Sequence, residues 1–341
     1  MPDLFADPLI AAYVLVVAGL LGLVMGSFIN CWAWRSTHGE SVLKGRSHCA
    51  TCRHELGVRD LVPVFSWLAS GRKCRYCGKL VSARYPITEI VCCIVFVALT
   101  ARYGLTLETV EMLVFAGILL FLSLTDLDEF IIPNGCILAA LGVRVVYMAA
   151  SFALGTMTID DILYYVASAF GVGIALVIVV LIADKVFGRD SMGGGDLKLY
   201  FVAALYFGWQ QSLLLVIISC IIGILVAFLA PKRADETAGE TTVADSKDEC
   251  EGGATEDESE SEAVVEVDSM AIAEGKSESE LRADIEAKSE FEVTAEANTS
   301  SETRDESVMK RVIPFGPSIA AACIITALVG KQLIAWYMGL F

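Results

Sequence analysis

Eight apolar runs constrain this chain more than any other feature of its sequence. All but one hold 16 residues or more, which is enough or nearly enough helix to cross a hydrocarbon core of about 30 Å. The mean hydropathy of +0.62 agrees with a protein that crosses the bilayer several times. We therefore predict an all-α polytopic membrane protein with about eight transmembrane helices, at 9–31, 86–101, 110–125, 133–154, 159–183, 197–209, 211–230 and 312–338.

The distribution of basic residues predicts the orientation of these helices. Residues 32–84 hold 10 Lys and Arg against 3 Asp and Glu, and short loops of this kind remain in the cytoplasm. Alternation from that loop also places 126–133, 184–198 and 231–311 on the cytoplasmic side. The N-terminus is then expected outside, because the first run is preceded by acidic residues and is too long for a signal peptide.

One segment carries the whole formal net charge of −16. Residues 232–311 hold 25 acidic and 9 basic residues, and the remainder of the chain is balanced. Within it, 232–306 contains one Phe and no Trp or Tyr, so it lacks the apolar surface that would offset the entropy of ordering. We predict a disordered acidic cytoplasmic insertion at 231–311, and we expect the lipid bilayer, not nucleic acid, around the rest of the protein.

Four of the eleven cysteines form two Cys-x-x-Cys pairs in the basic loop. The pairs are separated by 21 residues, a spacing typical of zinc sites with four thiolates. A loop of this size has too few apolar residues for a core of its own, and bound metal would supply its folding energy. Free or redox-active thiols are the alternative. The predicted structural zinc ligands are Cys49, Cys52, Cys74 and Cys77, with the neighbouring His48 and His54 as bystanders.

Two acidic stretches at the ends of apolar runs are the candidates for chemistry. Asp126 follows the third run, and Asp196 follows Gly193-Gly194-Gly195 at the start of the sixth. Ionisable groups at membrane depth are costly and therefore point to function. Glycines allow a tight turn and the close approach of another segment, so we assign Gly193 and Gly195 a supporting role. Both stretches are predicted on the same side of the membrane, where the two carboxylates form an acid/base pair.

Other interpretations of these aspartates remain open at this point. Each could cap a helix at the interface, and an ion-coupled transporter would also place acids at the ends of broken helices. If the pair is catalytic, the dipole of each residue's own helix predicts the roles. Asp126 at a C-terminus would be the proton donor, and Asp196 at an N-terminus would be the ionised carboxylate that activates water.

The order of these motifs resembles the type IV prepilin peptidases, a family of intramembrane aspartic proteases. Asp126 matches the family's first catalytic aspartate, and Gly193 to Asp196 match its GxGD motif. The two Cys-x-x-Cys pairs resemble the family's cytoplasmic zinc module. Asn134 departs from the family, which usually has Asp after Pro133. Further matching segments are Gly26-Ser27-Phe28-Ile29-Asn30, Val64-Phe65-Ser66-Trp67-Leu68, Arg84-Tyr85-Pro86 and Glu89.

The resemblance implies a plasma-membrane enzyme with its active site facing the cytoplasm. It would cleave the leaders of type IV prepilins and pseudopilins after Gly, and it would carry structural zinc. In many members it also implies N-methylation of the new N-terminus from S-adenosylmethionine. The expected organisation is a first helix at 1–31, a zinc module at 32–84, a catalytic core at 85–230, the insertion at 231–311 and a last helix at 312–341.

Overall fold

The computed structural model describes residues 7–41, 45–188, 192–229 and 314–339. Within these ranges it is α-helical, with only two isolated β-bridges, so the predicted all-α class is confirmed. The predicted insertion at 231–311 lies outside the described residues. The helices are α1 (Pro8–Thr37), α2 (Phe65–Ala69), α3 (Arg84–Tyr103), α4 (Leu107–Glu129), α5 (Asn134–Ala153), α6 (Ile159–Phe187), α7 (Gly194–Leu229) and α8 (Gly316–Met338).

Seven of these α-helices are long and apolar enough to span a membrane; the short α2 is the exception among the α-helices in the described residues. The difference from the eight predicted spans lies in α7, which contains two of the predicted runs. Its backbone leaves helical geometry at Gly208, where φ is 74° and ψ is 174°. The Tyr200 hydroxyl lies 2.5 Å from the Ser219 hydroxyl. Nineteen residues of straight helix would span about 28 Å, so the two arms of α7 fold back on each other.

Local signals at the helix ends explain several boundaries. Asp7 caps α1 by accepting a hydrogen bond from the Leu9 backbone N–H, and Pro8 occupies the first turn, where its missing N–H costs little. Thr158 and Asp161 form a capping box at the start of α6. Helix α1 continues six residues beyond the predicted boundary at residue 31. The extension carries Arg35, whose guanidinium donates to the carbonyls of Ser41 and Arg46 and so joins the helix to the loop module.

Helices α1 and α3 pack with their backbones almost in contact. A Cβ built on Gly22 would lie 2.7 Å from the Cys93 Cα, and one built on Gly26 would lie 2.8 Å from the Glu89 Cα. Real Cβ atoms do not approach backbone this closely, so only glycine fits at these positions. Membrane helices commonly associate through such small residues, since packing, not water exclusion, holds them together in lipid.

Helix α4 is the centre of the bundle. Half of its apolar window is buried, the largest share among the candidate spans. Phe115 stacks on Tyr206 of α7 with ring centroids 3.9 Å apart, and Leu119 and Leu122 are almost fully buried beside it. Large apolar side chains on the outer faces of α1, α5 and α6 are exposed, as lipid-facing side chains would be. The central helix therefore carries its C-terminal Asp126 into the middle of one end of the bundle.

Candidate active site

Asp126 lies near the C-terminal end of α4 and is 5% exposed. Its Oδ2 atom accepts a hydrogen bond of 2.8 Å from the Gly316 backbone N–H at the start of α8. The helix ends three residues later at Glu129, and the capping residue Phe130 adopts a left-handed conformation and donates its N–H to the Asp126 carbonyl. The side chain is thus buried against a helix that follows it by 190 residues.

Asp196 lies in the first turn of α7 and is half-buried. Its backbone N–H donates to the Gly193 carbonyl at 3.1 Å. A Cβ on Gly195 would lie 3.0 Å from the Cβ of Ile132, six residues beyond Asp126. The two predicted acidic stretches therefore touch. The glycine at 195 permits this approach, whereas a Cβ on Gly193 would make only ordinary contact with Asp196.

Two basic side chains at this end of the bundle have polar partners other than the two aspartates. Arg84, at the start of α3, forks onto the Asp128 carboxylate with distances of 2.5 and 2.8 Å. The Lys198 ammonium donates to the Asn134 side-chain oxygen at 2.9 Å. Asp128 is therefore engaged by an arginine, which fits a structural role for this acid. Asn134 is the position at which this chain departs from the prepilin peptidase pattern. Its side-chain oxygen, which carries no charge, accepts the hydrogen bond from Lys198.

The four predicted zinc ligands come together in the loop module. The sulfurs of Cys49, Cys52, Cys74 and Cys77 all lie within 4.8 Å of one another. Four sulfurs around one zinc ion lie about 3.8 Å apart, given Zn–S bonds of about 2.3 Å in a tetrahedron. The residues present therefore fit a structural zinc ion. Hydrogen bonding from the Cys52 backbone N–H lowers the pKa of Cys49 to about 6, whereas burial and the neighbouring Cys49 and Cys77 thiols raise the pKa of Cys52 to about 11. Cys49 is therefore the thiol of this pair that ionises readily without a metal.

Each Cys-x-x-Cys pair is built on the same backbone turn. The Cys49 N–H donates to the carbonyl five residues on, and Cys74 does the same. The residues after the second cysteines, Arg53 and Gly78, both have positive φ and donate back to the first cysteine's carbonyl. This repeated turn brings two sulfurs to one point in each half. The two histidines are not in the cluster: His54 stacks on Tyr76, and the His48 ring lies near Glu40.

A cavity of about 600 Å³ opens between the loop module and helices α1 and α3. Its walls include aromatic rings, hydroxyls and the buried Glu89 carboxylate, which also accepts the Val64 N–H at 2.7 Å. Cavities of 300–1,000 Å³ that combine apolar walls with a few polar groups are typical of small-molecule sites. Its lining includes Ser27, Trp34, Ser66, Trp67, Tyr85 and Glu89.

The sequence did not predict the buried ion pair between Arg144 and Glu111. Arg144 donates to both oxygens of Glu111 at 3.0 and 3.2 Å, and both side chains are at least 96% buried. The Arg144 Nε donates to the Leu205 carbonyl, and the Tyr165 ring lies 4.6 Å from the guanidinium. One charge inside each of two apolar runs was the available signal. Glu111 precedes Asp126 by 15 residues, about 22 Å along α4, so this pair belongs to the other end of the bundle.

Gly316 also escaped the sequence analysis, although it contacts Asp126 directly. A Cβ on Gly316 would lie 2.7 Å from the Asp126 Oδ2 and 3.0 Å from its Cγ. The available signal was Phe315-Gly316-Pro317 at the entry of the last apolar run, where glycine has no role in helix propagation.

Comparison with known proteins agrees with these motifs. Residues 20–103 match the family model described as the bacterial peptidase A24 N-terminal domain, and residues 113–228 match the type IV leader peptidase family. Neither match includes Gly316 or any other residue of α8. No solved structure matches the chain.

Several curated proteins named prepilin leader peptidase/N-methyltransferase are similar to the chain. One from Myxococcus xanthus is 32% identical over 229 residues, 67% of this chain and 65% of that protein. One from Bacillus subtilis is 29% identical, over 60% of this chain and 79% of that protein. One from Pseudomonas aeruginosa is 27% identical, over 64% of this chain and 82% of that protein. The chain thus spans slightly less than two thirds of the Myxococcus protein.

Proposed function

This chain belongs to the type IV leader peptidase family, and from that premise we propose that it is an intramembrane aspartic endopeptidase for prepilins and pseudopilins. The observation that carries the proposal is the contact between the two acidic stretches at one end of the bundle. Gly195 lies against Ile132, and Asp126 and Asp196 flank this contact. Two carboxylates in one desolvated site do not both ionise readily, so the pair shares a proton.

The chemistry then requires only the two carboxylates and water. The ionised carboxylate removes a proton from water, whose oxygen attacks the scissile carbonyl carbon. The protonated carboxyl donates to the carbonyl oxygen. Collapse of the tetrahedral intermediate breaks the C–N bond, and the leaving amine receives the proton taken from water. No covalent enzyme intermediate forms.

The proposed orientation places the pair at the cytoplasmic face of the inner membrane. The basic loop module supports this orientation, because Arg84 at its boundary binds Asp128, two residues after Asp126. The proposed substrate has a basic leader that ends in Gly and precedes a hydrophobic helix. An ion-coupled transporter, the alternative from sequence, would hold its ion near the bilayer midplane, whereas Asp126 lies three residues before the end of α4, a 23-residue helix long enough to cross the membrane.

In this proposal zinc is structural. Cys49, Cys52, Cys74 and Cys77 would hold it, and the closed set of four thiolates leaves no position for a substrate or a reactive water. When bound, the ion supplies folding energy to a module that has few buried apolar side chains. In this proposal the four cysteines stabilise the fold of the loop module and take no part in cleavage.

We propose N-methylation of the new N-terminus as a second activity, and the loop cavity is the observation that favours it. S-adenosylmethionine supplies an electrophilic methyl group on a sulfonium cation. Trp34, Trp67 and Tyr85 line the cavity, and aromatic rings are the surfaces on which an adenine stacks and a cation binds. The Glu89 carboxylate adds negative charge, and Ser27 and Ser66 add hydroxyls. These residues fit such a ligand in size and chemistry.

Cleavage is tested with the purified protein and a candidate prepilin that carries a basic leader. We expect a shortened product from the wild type and none detectable from Asp126→Asn or Asp196→Asn. The matched control is Asp160→Asn, an exposed acid in the first turn of α6. Wild-type rates in either active-site variant would refute the aspartic mechanism.

The methyl-donor site is tested by direct binding of radiolabelled S-adenosylmethionine, without any turnover. Loss of one aromatic stacking face costs about 1–3 kcal/mol, so we expect Trp67→Ala to weaken binding roughly tenfold or more. Phe65→Ala is the control, because Phe65 is 66% exposed and does not line the cavity. Equal weakening by both variants would contradict this placement.

A further inference from the structure

The contact between Asp126 and Gly316 carries an inference about the roles of the two aspartates. The acceptor is the Asp126 Oδ2, the donor is the Gly316 N–H, and the N–O distance is 2.8 Å in a buried setting. Hydrogen bonds from a backbone N–H to a carboxylate favour its ionised form. The inference rests on the proposed peptidase function and goes one step beyond it.

Gly316 offers the only free backbone donor in the first three residues of α8. Pro317 has no N–H. The Ser318 N–H is already donated to the Phe315 carbonyl at 3.0 Å. The first N–H groups of a helix lack partners within it and concentrate the positive end of the helix dipole. Asp126 therefore receives both a hydrogen bond and the field of a helix N-terminus.

The start of α8 is held tightly enough to fix this geometry. A Cβ on Gly316 would lie 2.7 Å from the Asp126 Oδ2, so no larger residue fits without moving the carboxylate. The preceding Phe315 packs directly against Gly223 in the second arm of α7, where a Cβ would overlap its ring. The donor is thus fixed between α4 and α7 before any substrate binds, which is the condition for electrostatic preorganisation.

Asp196 has a different environment. It lies in the first turn of its own helix, but none of the described residues donates a hydrogen bond to its carboxylate. When two carboxylates share one proton, the proton resides on the one whose ionised form is less stabilised. The observed asymmetry therefore leaves the proton on Asp196.

We infer that Gly316 is a positioning residue that holds Asp126 as the ionised, water-activating carboxylate, so that Asp196 is the proton donor. In the reaction, Asp126 takes the proton from the attacking water, and Asp196 gives its proton to the scissile carbonyl oxygen. As the C–N bond breaks, Asp126 returns its proton to the leaving amine. Asp196 recovers its proton from the intermediate's hydroxyl. This assignment is the reverse of the one predicted from each residue's own helix.

The test uses a backbone change, because Gly316→Ala would displace the Asp126 carboxylate and confound the result. Replacing Gly316 by glycolic acid turns the amide into an ester, so an oxygen atom takes the place of the N–H and no side chain is added. The matched control is the equivalent ester at Ile319, whose N–H bonds the Phe315 carbonyl at 3.1 Å and does not touch Asp126. Both esters are made in the full-length chain.

The first measurement needs no turnover. Carboxyl carbon-13 resonances, assigned from the spectra of Asp126→Asn and Asp196→Asn, should show an ionised Asp126 and a protonated Asp196 near neutral pH. The Gly316 ester should make Asp126 titrate at higher pH, and the Ile319 ester should leave it unchanged. A protonated Asp126 beside an ionised Asp196 in the intact protein would overturn the inference, as would identical titration in the two esters.

The second measurement is the cleavage rate. A hydrogen bond to a charged group is worth enough that we expect kcat/KM to fall roughly 10- to 100-fold in the Gly316 ester and little in the Ile319 ester. An unchanged rate in the Gly316 ester would overturn the positioning role. Absence of cleavage by the wild-type protein would instead refute the proposed function, and the carbon-13 result would still decide which carboxylate is ionised.

Discussion

The buried pair of Arg144 and Glu111 gives the sharpest test of what holds the bundle together. Glu111→Gln removes the negative charge and leaves the guanidinium with the Leu205 carbonyl and nearby aromatic rings. Breaking one partner of a buried ion pair costs about 3–5 kcal/mol, because the remaining charge stays in a low dielectric without compensation. Both side chains are at least 96% buried, so solvent screening cannot reduce this cost.

The double variant Glu111→Leu/Arg144→Met should be far more stable than Glu111→Gln. Apolar residues of similar volume leave no buried charge, and such replacements are often neutral. For a bundle of this size, 3 kcal/mol corresponds to roughly 6–12 °C in Tm. Thermal unfolding in detergent, followed by circular dichroism, would show a large fall for the single variant and a small one for the double variant.

Activity provides an independent check on this reasoning. The pair lies about 22 Å along α4 from Asp126, so cleavage per folded molecule should stay within a few-fold of the wild type at a temperature where the variant is folded. If Glu111→Gln melted like the wild type, the carboxylate would not be compensating a buried charge. If it remained folded but lost cleavage, the pair would belong to the chemistry.

Three further predictions follow from the packing, the metal site and the insertion. Gly26→Ala should lower Tm and weaken the association of α1 with α3, because its Cβ would lie 2.8 Å from the Glu89 Cα, whereas Gly142→Ala has open space and should not. Cys49→Ser should reduce bound zinc from about one per chain, measured by mass spectrometry, with Cys220→Ser as the control outside the cluster. Deleting 240–300 should leave cleavage within a few-fold; a loss as large as that in Asp126→Asn would show that the insertion takes part in catalysis.

Local patterns in the sequence were sufficient for much of the fold. The length and hydropathy of the apolar runs predicted the membrane helices, because a helix in lipid must satisfy its own backbone and its boundaries follow from where apolar residues stop. The predicted number of membrane helices differs from the observed one only in α7. The sequence predicted two helices there, and the structure has one helix whose backbone breaks at Gly208. Cysteine spacing predicted the sulfur cluster, because two short turns of fixed length can each present two thiols.

The sequence was less informative where distant segments meet. It marked Asp126 and Asp196 as a pair, because both lie at the ends of apolar runs and both were predicted on the same side of the membrane. The contact at Gly195 is consistent with that prediction. The sequence did not pair Glu111 with Arg144. A single charge in an apolar run indicates a buried partner but does not say on which helix that partner lies.

The roles within the acidic pair show the same limit most clearly. From sequence, each carboxylate could be assigned only the dipole of its own helix, and on that basis Asp126 was predicted to be the proton donor. The tertiary structure brings the N-terminus of α8 to Asp126 across 190 residues of chain. Electrostatic fields act through space, not along the chain, so a local pattern could identify the two acids while only the packed bundle could supply the donor that distinguishes them.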